Sequence, residues 1–206
     1  MTSLEKLRNH PDIARLKDRI AAHNPVEADE PGVRRAAVAL VLRLGAPLDE
    51  PELLFIQRAQ FDTDPWSGQV AFPGGREEPG DASLLETAAR ETFEETAIDI
   101  QRHGEVLGRL DDLHPRTVRL PAIVVRPYVV LIGEESDPVL SDEVAASFWV
   151  PLSTLREGGG WRDTVVTAGG LEFTRRAFHH GGFVVWGMTE RLVSRLLFLL
   201  DDSSLQ

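Results

Sequence analysis

The segment FPGGREEPGD, crowded with glycine and proline, runs straight into Asp81–Thr96, which contains neither. Pro73 and the pair Gly74-Gly75 force a tight turn. The run that follows is rich in Ala, Leu and Glu, with Asp81 and Ser83 as candidate N-caps, and it predicts a helix. That helix carries Arg90, Glu91, Glu94 and Glu95. At about 100° per residue, Glu91 lies one turn from both Glu94 and Glu95, so three carboxylates crowd one side. Like charges one turn apart destabilise a helix by roughly 0.2–0.5 kcal/mol per pair. A divalent cation removes the conflict, and an oxygen-only donor set suits Mg²⁺ or Mn²⁺. The turn is also able to bring the backbone of Gly74 and Gly75 close to a metal and a phosphate. The plainer reading is a solvated acidic helix face after an ordinary glycine turn.

Around this element the chain alternates short apolar runs with turn residues. AAVALVLRL and ELLFIQRA, separated by GAPLDEP, read as paired antiparallel strands. Further strands are expected at Glu105–Leu110, Ala122–Leu131, Ala146–Val150 and Glu172–His179, and a closing helix at Thr189–Leu200. Before them, Leu4, Leu7, Ile13, Leu16 and Ile20 keep roughly helical spacing, interrupted by Pro11, and Asn24–Gly32 reads as a linker. Strands interrupted by one central and one terminal helix predict a mixed α/β sandwich, with residues 1–32 as a helical N-terminal extension and linker and residues 33–206 as one catalytic domain.

Cysteine is absent, which excludes thiol nucleophiles, disulfide frameworks and cysteine-bound metals. His114, His179 and His180 lack a paired-ligand spacing, so zinc is not indicated. The formal net charge of -11 repels nucleic-acid polymers. It does not exclude a small anionic substrate, because a bound cation reverses the sign within one pocket. No stretch approaches the ~18 uninterrupted apolar residues of a membrane span, and a cytoplasmic protein is the simplest expectation.

The residues from Gly75 onward resemble a Nudix box: Gly75, REEPG, Asp81, ASLLETAA, Arg90-Glu91, Thr92, Phe93, Glu94-Glu95, Thr96, Ala97, Ile98. Four positions depart from the general form. Asp81 replaces a glutamate, eight residues rather than seven precede Arg90, Thr92 stands at an aliphatic position, and Ala97 replaces a glycine. The extra residue would rotate Asp81 by about 100° relative to the carboxylates unless the helix start absorbs it. The lost glycine is expected to alter the turn by which the helix exits. Beyond the box, GQVAFPGG, Glu143-Val144 before FWVPL, and VVWGMTERLVSRLL resemble the coenzyme A pyrophosphatase-like branch, a similarity covering most of residues 33–200.

The resemblance implies a Nudix fold, a mixed β-sheet packed between helices as an α/β/α sandwich, and a metal-dependent pyrophosphatase. Glu91, Glu94 and Glu95, with Gly75, are then the metal candidates. Arg90 would orient the glutamates, and the general base would be Glu94 or Glu95, with Glu143 as the third candidate. Arg58, Gly74 and Trp66 are the candidates for substrate contact, and Arg116 and Arg119 are further possible phosphate ligands. The implied substrate is coenzyme A or an acyl derivative. No arginine or lysine lies between Arg58 and Arg76, where the branch usually carries a second basic residue. ADP-ribose, a nucleoside diphosphate sugar or another nucleotide therefore stays open as the alternative, as does a catalytically silent binding module. A homodimer is a further possibility, since similar proteins often form one.

Overall fold

A computed structural model describes residues 1–28, 30–46, 49–61, 66–115, 122–133, 137–168 and 171–201. The chain opens with two helices, α1 (Ser3–Asn9) and α2 (Pro11–Ala22). Thr2 and Glu5 form a reciprocal capping box on α1. Pro11 does not kink a long helix but starts the second one, at the first-turn position where its missing N–H costs nothing. His10 ends α1 and caps α2, its Nδ1 accepting from the Asp12 amide at 3.3 Å.

The main sheet has seven strands: β1 (Arg34–Gly45), β2 (Glu50–Arg58), β3 (Val70–Ala71), β4 (Gly74–Arg76), β5 (Gly104–Arg109), β6 (Ile123–Ile132) and β7 (Val144–Pro151). β1 is central: antiparallel to β2 (Leu42 opposite Leu53) and β4 (Val38 opposite Gly74), and parallel to β6 (Ala36 opposite Val125). β2 continues antiparallel to β3 and β7, and β5 antiparallel to β6. The β1–β2 pairing is the one expected from sequence; the parallel β1–β6 pairing makes the sheet mixed.

Alternation along β1 supplies two cores. Leu40 and Leu42 join Leu7, Ile13, Leu16 and Phe55 on one face, together with Leu192 and Leu196 of α6 (Gly187–Leu200). Ala39 and Val41 face the other way, against Ala89 of α3 (Leu84–Thr96) and Ile100 of α4 (Ile100–His103). Helices thus cover both faces, the expected α/β/α layering. After β7 come α5 (Leu152–Arg156) and a second sheet of β8 (Trp161–Ala168), β9 (Leu171–His180) and β10 (Phe183–Val185). Among the described residues, no helix is long and apolar enough to cross a membrane.

Two local expectations change. The central helix starts at Leu84, not Asp81, with the Ser83 hydroxyl accepting from the Glu86 amide as N-cap. The exit turn is not altered by the lost glycine: Ala97 itself takes the left-handed conformation, φ 58°, and its N–H bonds the Phe93 carbonyl at 2.8 Å. An alanine holds that conformation at a cost of about 1–2 kcal/mol, which the surrounding packing must offset.

Candidate active site

The turn before α3 is built on β1. Gly74 pairs with Val38 and Gly75 with Ala37, and a Cβ on Gly74 would stand 2.2 Å from the Ala37 carbonyl oxygen, so only glycine lets the two backbones meet. On Gly75 a Cβ would stand 2.3 Å from the carboxyl carbon of Glu91. The two glycines therefore allow the turn to lie against both the sheet and the acidic face of α3.

α3 presents its charges in two directions. Toward the preceding loop, Arg90 reaches back to Asp81, with Nε and Nη2 at 3.0 and 3.1 Å from the two carboxylate oxygens. Asp81 also accepts from the Thr87 hydroxyl (2.8 Å) and the Glu78 amide (2.9 Å). The guanidinium holds the Asp81 carboxyl far below the usual carboxylate range. The extra residue of the box lies in the loop and cap ahead of Leu84, so Asp81 approaches Arg90 from outside the helix. The same guanidinium donates to Glu91 and Glu94, both at 3.1 Å, and to the Arg76 carbonyl at 3.2 Å.

Toward the sheet, Glu95 is buried and accepts from the Gly74 amide at 2.9 Å, while Arg58, at the end of β2, stands 3.9 Å from it. Burial pushes the Glu95 carboxyl up to about 8, against the opposing pull of the Gly74 amide and Arg58; Glu91 and Glu143 raise it further. Burial also raises Glu91, with Glu94 and Glu143 adding to the rise and Arg90 opposing it. Glu143 reaches this corner because its loop is tied down: the amides of Val139 and Ser141 bond the carbonyls of Thr96 and Glu95 (2.9 and 3.2 Å), and the Glu143 carbonyl accepts from Ala59 (2.8 Å).

These groups open on a cavity of about 580 Å³. Arg58, Trp66, Gly74, Gly75, Glu91, Glu95 and Glu143 all line it. Glu94, half-exposed and paired with Arg90, does not appear in its wall among the described residues. Arg116 and Arg119 lie outside the described residues. Sequence reasoning missed Arg76, Met188 and Thr189, the last bonding the Val70 carbonyl at 2.9 Å, and the apolar lining of Val38, Ile123 and Val125. The positive φ of Gly187, 68°, at the start of α6 turns the chain so that Met188 and Thr189 follow into the wall.

Among the described residues, no three acidic or histidine side chains stand as a ready-made metal cage. The chemistry of the corner nevertheless fits a hard divalent cation. Glu91, Glu95 and Glu143 face one cavity; burial raises both helix carboxylates, and the charge of Glu143 raises both further, as does that of Glu91 on Glu95, a repulsion that an oxygen-bound cation removes.

Comparison with known proteins agrees with this geometry. A family model for the NUDIX domain matches residues 33–168, more than half of the chain. The human mitochondrial coenzyme A diphosphatase NUDT8 is 30% identical over 174 residues, covering 84% of this chain and 73% of that protein. An uncharacterized protein of Schizosaccharomyces pombe is 32% identical over 140 residues, and the chain spans only 43% of its length. In fold, the crystal structure of a MutT/nudix family protein from Enterococcus faecalis superposes with a TM-score of 0.53 at 19% identity, covering 93% of this chain and 71% of that one. Nudix hydrolases generally use divalent metal ions, and the chain, which keeps the Arg90-Glu91 and Glu94-Glu95 pairs of the box, belongs to that family as a pyrophosphatase.

Proposed function

We propose that the enzyme hydrolyses the phosphoanhydride of coenzyme A or an acyl derivative, giving 3′,5′-ADP and a 4′-phosphopantetheine product, with residues 33–206 as the catalytic domain. The observation that carries this reading is the lining of the cavity, which combines carboxylates and Arg58 with the apolar side chains of Val38, Ile123, Val125 and Met188. A diphosphate flanked by less polar groups needs both a cation-binding corner and an apolar surface beside it. The similarity to a coenzyme A diphosphatase over most of the chain supports the same substrate.

Glu91, Glu94 and Glu95 would hold Mg²⁺ or Mn²⁺, with the Gly75 backbone beside them. The bound cation supplies charge neutralisation on the phosphate oxygens and lowers the pKa of water. The chain's own residues do the rest. Water oxygen attacks one phosphorus, the bridging P–O bond breaks, and the leaving phosphate departs with the bridging oxygen. The proton lost by water goes to a carboxylate. Glu143 is favoured for that role over Glu94 and Glu95, because Glu94 is engaged by Arg90 and Glu95 by the Gly74 amide, while Glu143 stands exposed at the cavity wall. Arg90 fixes the directions of Glu91 and Glu94 from the Asp81 side. Arg58 would bind a phosphate oxygen, and Trp66 and Gly74 would border the substrate.

A second reading, the same chemistry on ADP-ribose or a nucleoside diphosphate sugar, is favoured by the lack of arginine and lysine between Arg58 and Arg76. Both are tested by incubating the protein with Mg²⁺ or Mn²⁺ and a panel of coenzyme A, acetyl-CoA, ADP-ribose and UDP-glucose, with Glu95→Gln as control and products identified by mass. Release of 3′,5′-ADP from coenzyme A, lost in the variant, supports the first reading. Turnover of ADP-ribose or UDP-glucose alone replaces it with the second.

A further inference from the structure

Arg76 lies in the wall of the active cavity. Successive residues of a strand point to opposite faces. In β4, Gly75 turns toward Glu91 of α3, so Arg76 turns the other way. Its register partner is Ala36, which is itself beside Val125, so the guanidinium belongs to the end of the cavity floored by Ile123, Val125 and Met188. Two neighbouring arginines are matched by acids, Arg35 by Glu77 and Arg90 by Asp81. Arg76 is exposed and has no carboxylate partner among the described residues, although the chain carries 33 acidic residues against 22 basic ones. Its backbone is nonetheless fixed, by the β1 pairing and by Arg90 bonding its carbonyl at 3.2 Å. An arginine on a fixed strand in a cavity wall, with no acid partner among the described residues, is arranged to meet an anion brought by the ligand.

We propose that Arg76 is a specificity-determining residue that receives a phosphate monoester carried by the substrate outside the bond that is cleaved. Arg58 stands beside Glu95, at the corner where the diphosphate must lie for hydrolysis; Arg76, by the alternation of β4, turns from that corner toward the apolar floor. An anion bound there is separated from the diphosphate by a less polar body, as the 3′-phosphate of coenzyme A is by its ribose. The assignment rests on the reading of the Glu91–Glu95 corner as the place of cleavage.

The experiment compares coenzyme A with dephospho-coenzyme A, which lacks only that monoester, in the wild-type enzyme, Arg76→Gln and Arg76→Lys. The wild type should favour coenzyme A in kcat/KM, and Arg76→Gln should lose on the order of 10- to 100-fold on coenzyme A, the range for a hydrogen bond to a charged group. Its turnover of dephospho-coenzyme A should stay within about 3-fold, and Arg76→Lys should recover part of the preference. In calorimetry, 3′,5′-ADP should bind more weakly to Arg76→Gln than to wild type, with AMP binding unchanged. An equal loss on both substrates assigns Arg76 to the diphosphate and overturns the proposal, as does a wild type indifferent to the monoester. If the enzyme proves to cleave ADP-ribose instead, the coenzyme A reading fails separately. An Arg76-dependent preference for the 2′-phosphorylated form of ADP-ribose would then uphold the assignment, and indifference would overturn it.

Discussion

Asp81 and Glu95 are both buried carboxylates held by the same helix, yet they are driven in opposite directions. Asp81 meets two guanidinium nitrogens, a hydroxyl and an amide, and its carboxyl is held far below the ordinary range. Glu95 meets one amide and a more distant arginine, faces two further carboxylates, and is pushed up to about 8. Asp81 is satisfied by the protein itself, so it serves to fix Arg90 and through it Glu91 and Glu94. Glu95 is left short of positive charge, and that shortage is what a cation relieves. A single turn of sequence pattern cannot separate the two roles; the neighbours do.

The contrast is open to measurement. Its largest expected consequence is in turnover: Glu95→Gln should lower kcat by at least about 10²-fold in steady-state assays, as when a principal electrostatic group is removed. Its fold should survive, because the neutral amide spares the corner one repelling charge. Asp81→Asn should behave the opposite way, destabilising the protein by roughly 3 kcal/mol in chemical denaturation because Arg90 is left without its main partner. Equal stability losses in both variants would erase the distinction.

The two carboxyls also predict different pH dependences of stability. With a raised folded-state pKa, Glu95 keeps in the folded protein a proton that the unfolded chain has already released. Metal-free stability should therefore decline as pH rises from the usual glutamate value of 4.5 toward about 8, and level off above it. The decline should amount to at least ~1.4 kcal/mol, one pKa unit's worth, in denaturant midpoints measured with a chelator present. Mg²⁺ or the Glu95→Gln substitution should flatten the slope. Asp81, with its lowered pKa, contributes stability that is present above its ordinary value of 3.8 and is lost only in stronger acid. The smallest effect is expected at the end of α3, where Ala97→Gly should raise stability by about 0.5–1 kcal/mol in thermal unfolding, relieving the left-handed alanine. A neutral result there would mean that the glycine's unfolded-state freedom cancels the relief.

Much of this site could be read in the chain. Proline and glycine before a run with neither announce a turn and a helix, and the spacing of Glu91, Glu94 and Glu95 announces an acidic face. Pro11 marked a break among the apolar positions at the N-terminus, though not that it would open a second helix whose Ile13, Leu16 and Ile20 share the main core. β8 went unrecognised because Trp161–Ala168 carries polar side chains on both sides of a ribbon, which leaves no clear alternation of apolar and polar positions. β3 and β4 are two and three residues long and read as turn; they are strands only because β2 and β1 offer them partners.

The sequence by itself determined the helix, its cap chemistry, the glycine turn and the set of acids, since each depends on residues within a few positions of one another. The tertiary structure decided which acid is paired and which is left wanting a cation, and it brought Glu143, Arg76 and Met188 to a wall shared with Glu95. Those outcomes depend on β1 lying between β4 and β6 and on a loop tied to the last carbonyls of α3, contacts between distant segments that no local pattern encodes.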